Sequence, residues 1–145
     1  MNLLPTLHHN QEHSILGQVM PRVLLTGFTP FGEHVENISE KLVHSMPLVL
    51  PIKNPFGPGR SEISVEKKIL TVDLAGSTWT RDELHSREWD AILHLGLCGE
   101  CTEPRIELRA QDSLNMNIPD NSGRQSFDES ISGNGDLLTL SLIHI

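Results

Sequence analysis

The sequence predicts an α/β fold, a three-layer α/β/α sandwich around a mostly parallel sheet that is truncated at its C-terminal side. The clearest signal is residues 91–96, AILHLG, a nearly continuous apolar run that ends at a glycine, as central parallel strands do. Strand-like and helix-like segments alternate at short spacing, which favours an open α/β sheet. A chain of 145 residues with 37% hydrophobic and 21% charged residues is long enough and apolar enough to bury the core of one domain.

The first half of the chain predicts one strand and one helix. Residues 22–26, RVLLT, form a β-branched and leucine run that indicates a buried strand. A short helix is expected after Ser39, a favourable N-cap, and it should end before Pro47. The density of proline and glycine in residues 47–60 indicates a loop or linker. Residues 1–19 are polar and aperiodic, so they are predicted to be a disordered extension.

The second half predicts three strands and one helix. A strand is expected over residues 68–74, followed by a helix capped by Ser77 or Thr78. Residues 91–96 give the next strand, and residues 106–110 give a further one. Residues 119–135 are polar and rich in turn-forming residues, so no regular element is expected there.

Charge and composition restrict the class of partner. The net charge of −8 and the pI near 5.4 argue against nucleic acid or an anionic membrane, which select clustered Lys and Arg. No apolar run approaches the roughly 20 residues of a membrane-spanning helix, and the N-terminus lacks the features of a signal peptide. The sequence therefore predicts a soluble cytoplasmic protein.

Two phenylalanines in the segment TGFTPFG, residues 26–32, are candidate binding residues. Phe28 and Phe31 follow directly on the first strand, at the edge of an open sheet where ligands bind. Pro30 and the flanking glycines would hold the two rings as a rigid apolar slot. The alternative is that both rings are ordinary core packing.

Glu107 is a candidate functional carboxylate. It lies inside an apolar strand pattern, where a carboxylate without a partner is costly. The alternative is the exposed face of an edge strand.

The pair Cys98-x-x-Cys101 allows three interpretations. A redox pair would be favoured at a helix N-terminus, but no helical period follows. A zinc site would need two further ligands at suitable spacing, and only scattered histidines are present. Incidental thiols are the favoured interpretation, and two cysteines cannot form a disulfide framework.

Three stretches together resemble a known family. They are the segment 26–32 with Asn37, the strand end at residues 94–97, and residues 106–110 followed by IPDNSGRQ at 118–125 and Asp-Glu at 128–129. In this order and spacing they resemble pyroglutamyl-peptidase I, a cytosolic cysteine peptidase. The resemblance implies a partial peptidase domain over residues 20–139 and a tail outside the family pattern over residues 140–145.

The resemblance also implies a function and roles for the candidates. The activity would be hydrolytic removal of N-terminal pyroglutamate from peptides, with no cofactor and no metal. Phe28 and Phe31 would hold the lactam ring, and Asn37 would make a polar contact that holds this loop or the substrate. Glu107 would be the acid of a Cys-His-Glu triad.

The expected nucleophile and base are missing from the resemblance. In the family both lie in later segments, and neither Cys98, Cys101 nor any histidine of this chain matches them. We therefore expect an incomplete chain that is inactive alone. The alternatives are a peptide-binding remnant without catalysis and a CxxC redox protein.

Overall fold

The computed structural model describes residues 20–53, 58–135 and 137–144, the last of these as backbone only. The predicted extension, residues 1–19, lies outside the described residues. Neither helix of the described part is both long and apolar enough to cross a membrane. The elements are β1 Arg22–Phe28, α1 Ile38–Ser45, β2 Val49–Lys53, β3 Arg60–Leu70, α2 Leu74–Ser86, β4 Ala91–Gly96, β5 Arg105–Ala110 and β6 Leu137–His144.

The strands form one mixed sheet in the order β2-β3-β1-β4-β6-β5. β1 pairs in parallel with β3 and β4, and β4 pairs in parallel with β6. The two edge strands, β2 and β5, pair antiparallel with their neighbours. The predicted α/β class with a mostly parallel sheet is confirmed.

The two helices cover opposite faces of the sheet. On one face, a Cβ on Gly27 would lie 2.6 Å from the Ser39 carbonyl oxygen, so β1 and α1 are in close contact. On the other face, Lys68 Nζ lies 5.0 Å from the ring centre of Trp79 in α2. Lys68 pairs with Thr26 in register, so Thr26 faces α2 while its neighbour Gly27 faces α1. The buried cluster under α1 consists of Leu25, Val43, Val65 and Leu95.

The helices begin earlier than the sequence predicts. Asn37 caps α1 because its Oδ1 accepts a hydrogen bond from the Ser39 backbone N–H at 3.0 Å. Asp73 caps α2 by accepting the Gly76 backbone N–H at 2.9 Å. The predicted caps, Ser39 and Ser77 or Thr78, lie inside the helices. In both cases an Asn or Asp upstream, with its side-chain oxygen close to the first free amides, forms the cap instead.

The strand predictions need three corrections. The predicted loop of residues 47–60 contains β2, in which Pro51 is tolerated because an edge strand leaves one side of its backbone unpaired. β3 runs from Arg60 to Leu70, earlier than the predicted residues 68–74. β6 was not predicted, whereas β4 has the predicted bounds.

A charged and aromatic cluster lies where β1 begins, near the C-terminal end of α2. The guanidinium groups of Arg22 and Arg87 lie 4.7 and 4.9 Å from the ring centre of Trp89. Both groups also pair with Glu66, at 2.7 and 2.9 Å. These contacts lower the pKa of Glu66, chiefly through the hydrogen bond from Arg22, and they tie the end of α2 to β1 and β3.

Candidate functional site

A cavity of about 480 Å³ opens at the carboxyl ends of β1, β3 and β4. This is the sheet edge at which open α/β folds bind ligands, and the volume suits a small organic molecule. α2 and the loop after β5 complete its wall. The lining residues are Phe28, Leu70, Thr71, Val72, Asp73, Leu74, Gly76, Ser77, Thr80, His94, Gly96, Leu114, Met116, Asp120 and Arg124.

His94 and Thr26 form the one cross-strand polar pair in the β1–β4 register that we find among the described side chains. The two residues are partners in that register, and Thr26 Oγ1 lies 2.5 Å from His94 Nδ1. Thr26 is fully buried at 0% exposure, and His94 is half-buried. Burial lowers the pKa of His94, so the imidazole is held in its neutral form.

The sequence did not single out His94 as a site residue. The signal was present, because His94 is the polar residue near the end of the most apolar strand of the chain. A polar side chain in that position faces either a core partner or a ligand. Sequence alone does not give the register between β1 and β4. That register makes Thr26 the core partner of His94, and it leaves His94 able to contact a ligand as well.

One of the two predicted phenylalanines lies in the cavity wall. Phe28 lines the cavity. Phe31 is half-buried outside the cavity wall, and its ring centre lies 5.6 Å from that of His34. No contact between the two rings is found among the described side chains, and the expected slot between them stays a prediction. Contact of either ring with a ligand stays a prediction.

Asn37 braces the loop that follows β1. It is 1% exposed, its Oδ1 accepts from the backbone N–H and hydroxyl of Ser39, and its Nδ2 donates to the Thr29 carbonyl oxygen at 3.2 Å. Of the two roles predicted for Asn37, these contacts favour holding the loop. A direct contact with substrate stays a prediction.

The segment IPDN, residues 118–121, holds the same loop from the other side. Asn121 Nδ2 donates to the Pro30 carbonyl oxygen at 3.0 Å. A Cβ on Gly32, which has φ of +59°, would lie 2.7 Å from Ile118 Cδ1. Asp120 lies at the cavity wall and accepts the backbone N–H groups of Ser122 and Arg124, and its pKa is lowered chiefly by the hydrogen bond from the Ser122 hydroxyl.

Glu107 lies half-buried on the edge strand β5. It pairs in register with Leu142 of β6, the residue that also pairs with His94 of β4. Residues that are direct partners across strands project to the same face, so Glu107 shares the face of His94 and the cavity. With neighbouring strands about 4.8 Å apart, the two backbones are roughly 10 Å from each other. A role for Glu107 in catalysis stays a prediction.

Cys98 and Cys101 are joined by a disulfide in the turn after β4, with Cα atoms 5.3 Å apart. The interpretation as incidental free thiols is therefore wrong for this structure, because the tight turn brings the two sulfurs into bonding distance. Gly96, two residues before Cys98, lines the cavity. In the described part of the chain, no group of His, Cys, Asp and Glu side chains could hold a metal ion.

Comparison with known proteins places this site in a family context. The family model described as pyroglutamyl peptidase matches residues 21–143. The pyrrolidone-carboxylate peptidase of Fusobacterium nucleatum is 31% identical over 126 residues, covering 87% of this chain and 55% of the relative. That of Clavibacter michiganensis is 32% identical over 127 residues, again covering 87% of this chain and 55% of the relative.

Solved structures agree. The pyrrolidone carboxyl peptidase of Fervidobacterium islandicum has a TM-score of 0.66 at 30% identity, covering 82% of this chain and 54% of that one. The Thermus thermophilus protein of the same description has a TM-score of 0.64 at 30% identity, covering 81% and 57%. The chain spans about half the length of the relatives it matches.

Proposed function

The chain belongs to the pyroglutamyl peptidase family, and from this premise we propose that its described residues form the substrate-recognition part of a cysteine peptidase that removes N-terminal pyroglutamate from peptides. The observation that carries the proposal is the cavity at the carboxyl ends of β1, β3 and β4, with Phe28 in its wall and a neutral histidine, His94, beside it. Pyroglutamate is a small, uncharged cyclic amide, and such a ring binds where an apolar wall carries few polar groups.

Hydrolysis would proceed by nucleophilic catalysis. A thiolate attacks the acyl carbonyl of the pyroglutamyl residue, and backbone donors stabilise the oxyanion. The peptide C–N bond then breaks, the protonated histidine base gives its proton to the departing amine, and a thioester remains. Water hydrolyses this acyl-enzyme, which releases pyroglutamate and restores the thiol. The carboxylate of a triad orients the histidine base and stabilises its cation. We assign that role to Glu107, which shares the cavity face of the sheet through its register with β6. This mechanism requires no cofactor or metal.

The 145-residue chain alone is proposed not to cleave these substrates. Its sequence contains two cysteines, and the disulfide joins both, so neither sulfur is a thiolate. Within the described ranges, no hydrogen bond joins either sulfur to a histidine. The redox state of this bond in the cell tests the predicted cytoplasmic location. A cytoplasmic protein should carry the two cysteines in reduced form, because reducing compartments keep disulfides open.

A chimera tests the proposed activity. Residues 20–135 of this chain would replace the matching part of the Fusobacterium nucleatum relative, and release of fluorescent amine from pyroglutamyl and prolyl amides would be measured. We expect turnover of the pyroglutamyl amide alone, and its loss on thiol alkylation. A folded chimera that turns over neither amide would contradict the proposal.

A non-catalytic peptide-binding protein is the second candidate, and the Cys98–Cys101 disulfide favours it. It predicts that the 145-residue chain binds L-pyroglutamamide and cleaves nothing, in either the oxidised or the reduced state. Thiol-dependent turnover by the reduced chain would exclude it. Binding by the chain together with an active chimera would favour the peptidase.

A further inference from the structure

His94 carries a ring nitrogen that the fold does not use. Its Nδ1 bonds to Thr26, whereas its Nε2 has no hydrogen bond to any residue that the structure describes. Among described side chains, the buried nitrogen and oxygen atoms without a partner are Thr29 Oγ1 and Trp89 Nε1. His94 Nε2 is therefore not sealed in the core, and His94 is one of the residues that line the cavity.

Most other polar side chains in the cavity wall already have partners within the protein. Thr71 donates its hydroxyl to Asp73, and Ser77 donates to the Leu74 carbonyl oxygen. Arg124 pairs with Glu129 at 2.8 Å. His94 is thus a polar side chain that the protein holds in place through Nδ1 while its Nε2 has no hydrogen bond within the described residues.

The Thr26 hydroxyl determines which nitrogen of His94 carries the proton. Thr26 is fully buried, and within the described part of the chain His94 Nδ1 is the partner of its hydroxyl. If Nδ1 were protonated, it would donate to Thr26 Oγ1 and leave the hydroxyl hydrogen buried without an acceptor, which is costly. The hydroxyl therefore donates to Nδ1, and the neutral ring carries its proton on Nε2. His94 presents a hydrogen-bond donor to the cavity.

We propose that His94 is a specificity-determining residue that donates a hydrogen bond from Nε2 to the ring carbonyl oxygen of pyroglutamate. The inference rests on the proposed function, since it names a contact in the same site. The ring carbonyl distinguishes pyroglutamate from proline, which has the same ring size without that oxygen. A ligand that covers this donor without offering an acceptor is disfavoured, because the donor would lose water without gaining a partner.

Binding to the 145-residue chain tests the contact. The probes are L-pyroglutamamide and cyclopentanecarboxamide, a ring of the same size without the carbonyl oxygen. We expect His94→Leu to weaken pyroglutamamide binding by roughly five- to tenfold, the usual effect of one neutral hydrogen bond. Its affinity for cyclopentanecarboxamide should stay within about twofold. His94→Gln should retain most of the preference, because an amide can accept from Thr26 and donate to the ligand.

Nitrogen NMR of the unmodified chain gives a second readout that needs no variant. With ¹⁵N-labelled histidine, Nδ1 of His94 should resonate as an unprotonated acceptor and Nε2 as a protonated donor. Titration with L-pyroglutamamide should shift Nε2 and leave Nδ1 in place. A proton on Nδ1, or an Nε2 signal that pyroglutamamide does not shift, overturns the inference.

The outcomes separate this inference from the proposed function. If the chain prefers pyroglutamamide and His94→Leu keeps that preference, the role of His94 is overturned and the proposed function stands. If the unmodified chain binds the two probes equally, recognition of pyroglutamate fails, and the inference fails with it.

Discussion

Asn121 and Val72 exchange a pair of hydrogen bonds between two loops that border the cavity. The Asn121 backbone N–H donates to the Val72 carbonyl oxygen at 2.8 Å, and the Val72 N–H donates to Asn121 Oδ1 at 2.9 Å. Asn121 Nδ2 also donates to the Pro30 carbonyl oxygen at 3.0 Å. One side chain therefore sets the spacing between the loop after β1, the start of α2 and the segment that follows β5.

Asn121→Ala should loosen all three segments. We expect the variant to lose about 1–2 kcal/mol of unfolding free energy, since two partly exposed side-chain hydrogen bonds are removed. Its affinity for L-pyroglutamamide should fall as well. Asn121→Asp keeps the acceptor for Val72 and loses the donor to Pro30. Its unfolding free energy should therefore lie between those of the parent chain and Asn121→Ala. Urea unfolding and calorimetric titration measure both effects, with Asn134→Ala, whose side chain bonds within its own loop, as the control.

Gly32→Ala should destabilise the loop after β1 by a steric contact. Gly32 has φ of +59°, and a Cβ there would lie 2.7 Å from Ile118 Cδ1. Gly123 is a matched control, because it has φ of +83° and nothing within 4 Å of its added Cβ. Gly123→Ala should cost about 1 kcal/mol for the left-handed backbone alone. Thermal unfolding should show a clearly larger loss for Gly32→Ala, and equal losses would exclude the contact with Ile118.

Stability should fall as the pH is lowered below 6.5, because of His94. Burial lowers the pKa of His94 from its ordinary value of 6.5, so in acid the unfolded chain binds a proton that the folded chain does not. The contribution of His94 is therefore full above pH 6.5 and declines below it until the folded pKa is reached. The charged groups on this side of the fold are Lys68 and Glu107, in the same row of the sheet, and Asp73, Asp120 and Arg124, in the cavity wall.

Denaturation of the parent chain and of His94→Gln checks this pH dependence. The unfolding free energy of the parent chain minus that of His94→Gln should decrease as the pH falls from about 7.5 to about 5.5. The substitution leaves every other histidine in place, so their contributions cancel in the comparison. A difference that is constant with pH would show that the folded and unfolded chains protonate His94 equally.

Asp112→Ala should release the loop before β6. Asp112 accepts the backbone N–H groups of Ile131, Ser132 and Gly135, at 3.0, 2.6 and 3.1 Å. The amide of Ser132 is the largest cause of the strong lowering of the Asp112 pKa. Hydrogen exchange of these three amides should therefore accelerate in Asp112→Ala and not in Asp82→Ala, a helix-surface control. Unchanged exchange would mean that the loop is held by other contacts.

Glu107→Gln should reduce turnover in the chimera described above and leave its folding intact. A carboxylate that orients a histidine base contributes on the order of 10²–10⁴-fold to the rate, and the amide cannot stabilise the imidazolium. kcat for a pyroglutamyl amide should fall by that order while KM changes little. Glu103→Gln, in the loop before β5, is the matched control. If both variants keep full turnover, Glu107 is not the acid of the triad.

The sequence predicted those elements whose pattern is local. β4 was predicted with its bounds because an apolar run closed by glycine has one simple interpretation. β2 was missed because the proline that argues against a strand is harmless at a sheet edge, and edge position is a property of the whole sheet. The helix starts were predicted at the wrong residues because several nearby polar residues are suitable N-caps. The residue that caps the helix is the one whose side-chain oxygen lies close to the free backbone amides.

The site was predicted in part for the same reason. The segment 26–32 follows β1 at the carboxyl edge of the sheet as predicted, but residue type alone does not show that Phe28 lines the cavity while Phe31 lies outside its wall. His94 was passed over because its importance depends on alignment with Thr26, a residue 68 positions earlier in the chain. Contacts between strands that are distant in sequence are the information that composition and spacing lack.

The two tryptophans lie in different surroundings, and this gives the protein a built-in optical probe. The chain has two tryptophans and no tyrosine, so its near-ultraviolet emission comes from Trp79 and Trp89 alone. Trp79 lies under Lys68 on the cavity face, whereas the guanidinium groups of Arg22 and Arg87 lie 4.7 and 4.9 Å from the ring centre of Trp89 near the start of β1. A Trp89→Phe variant would therefore emit from α2 alone, and ligand entry into the cavity could be followed by fluorescence without any attached dye.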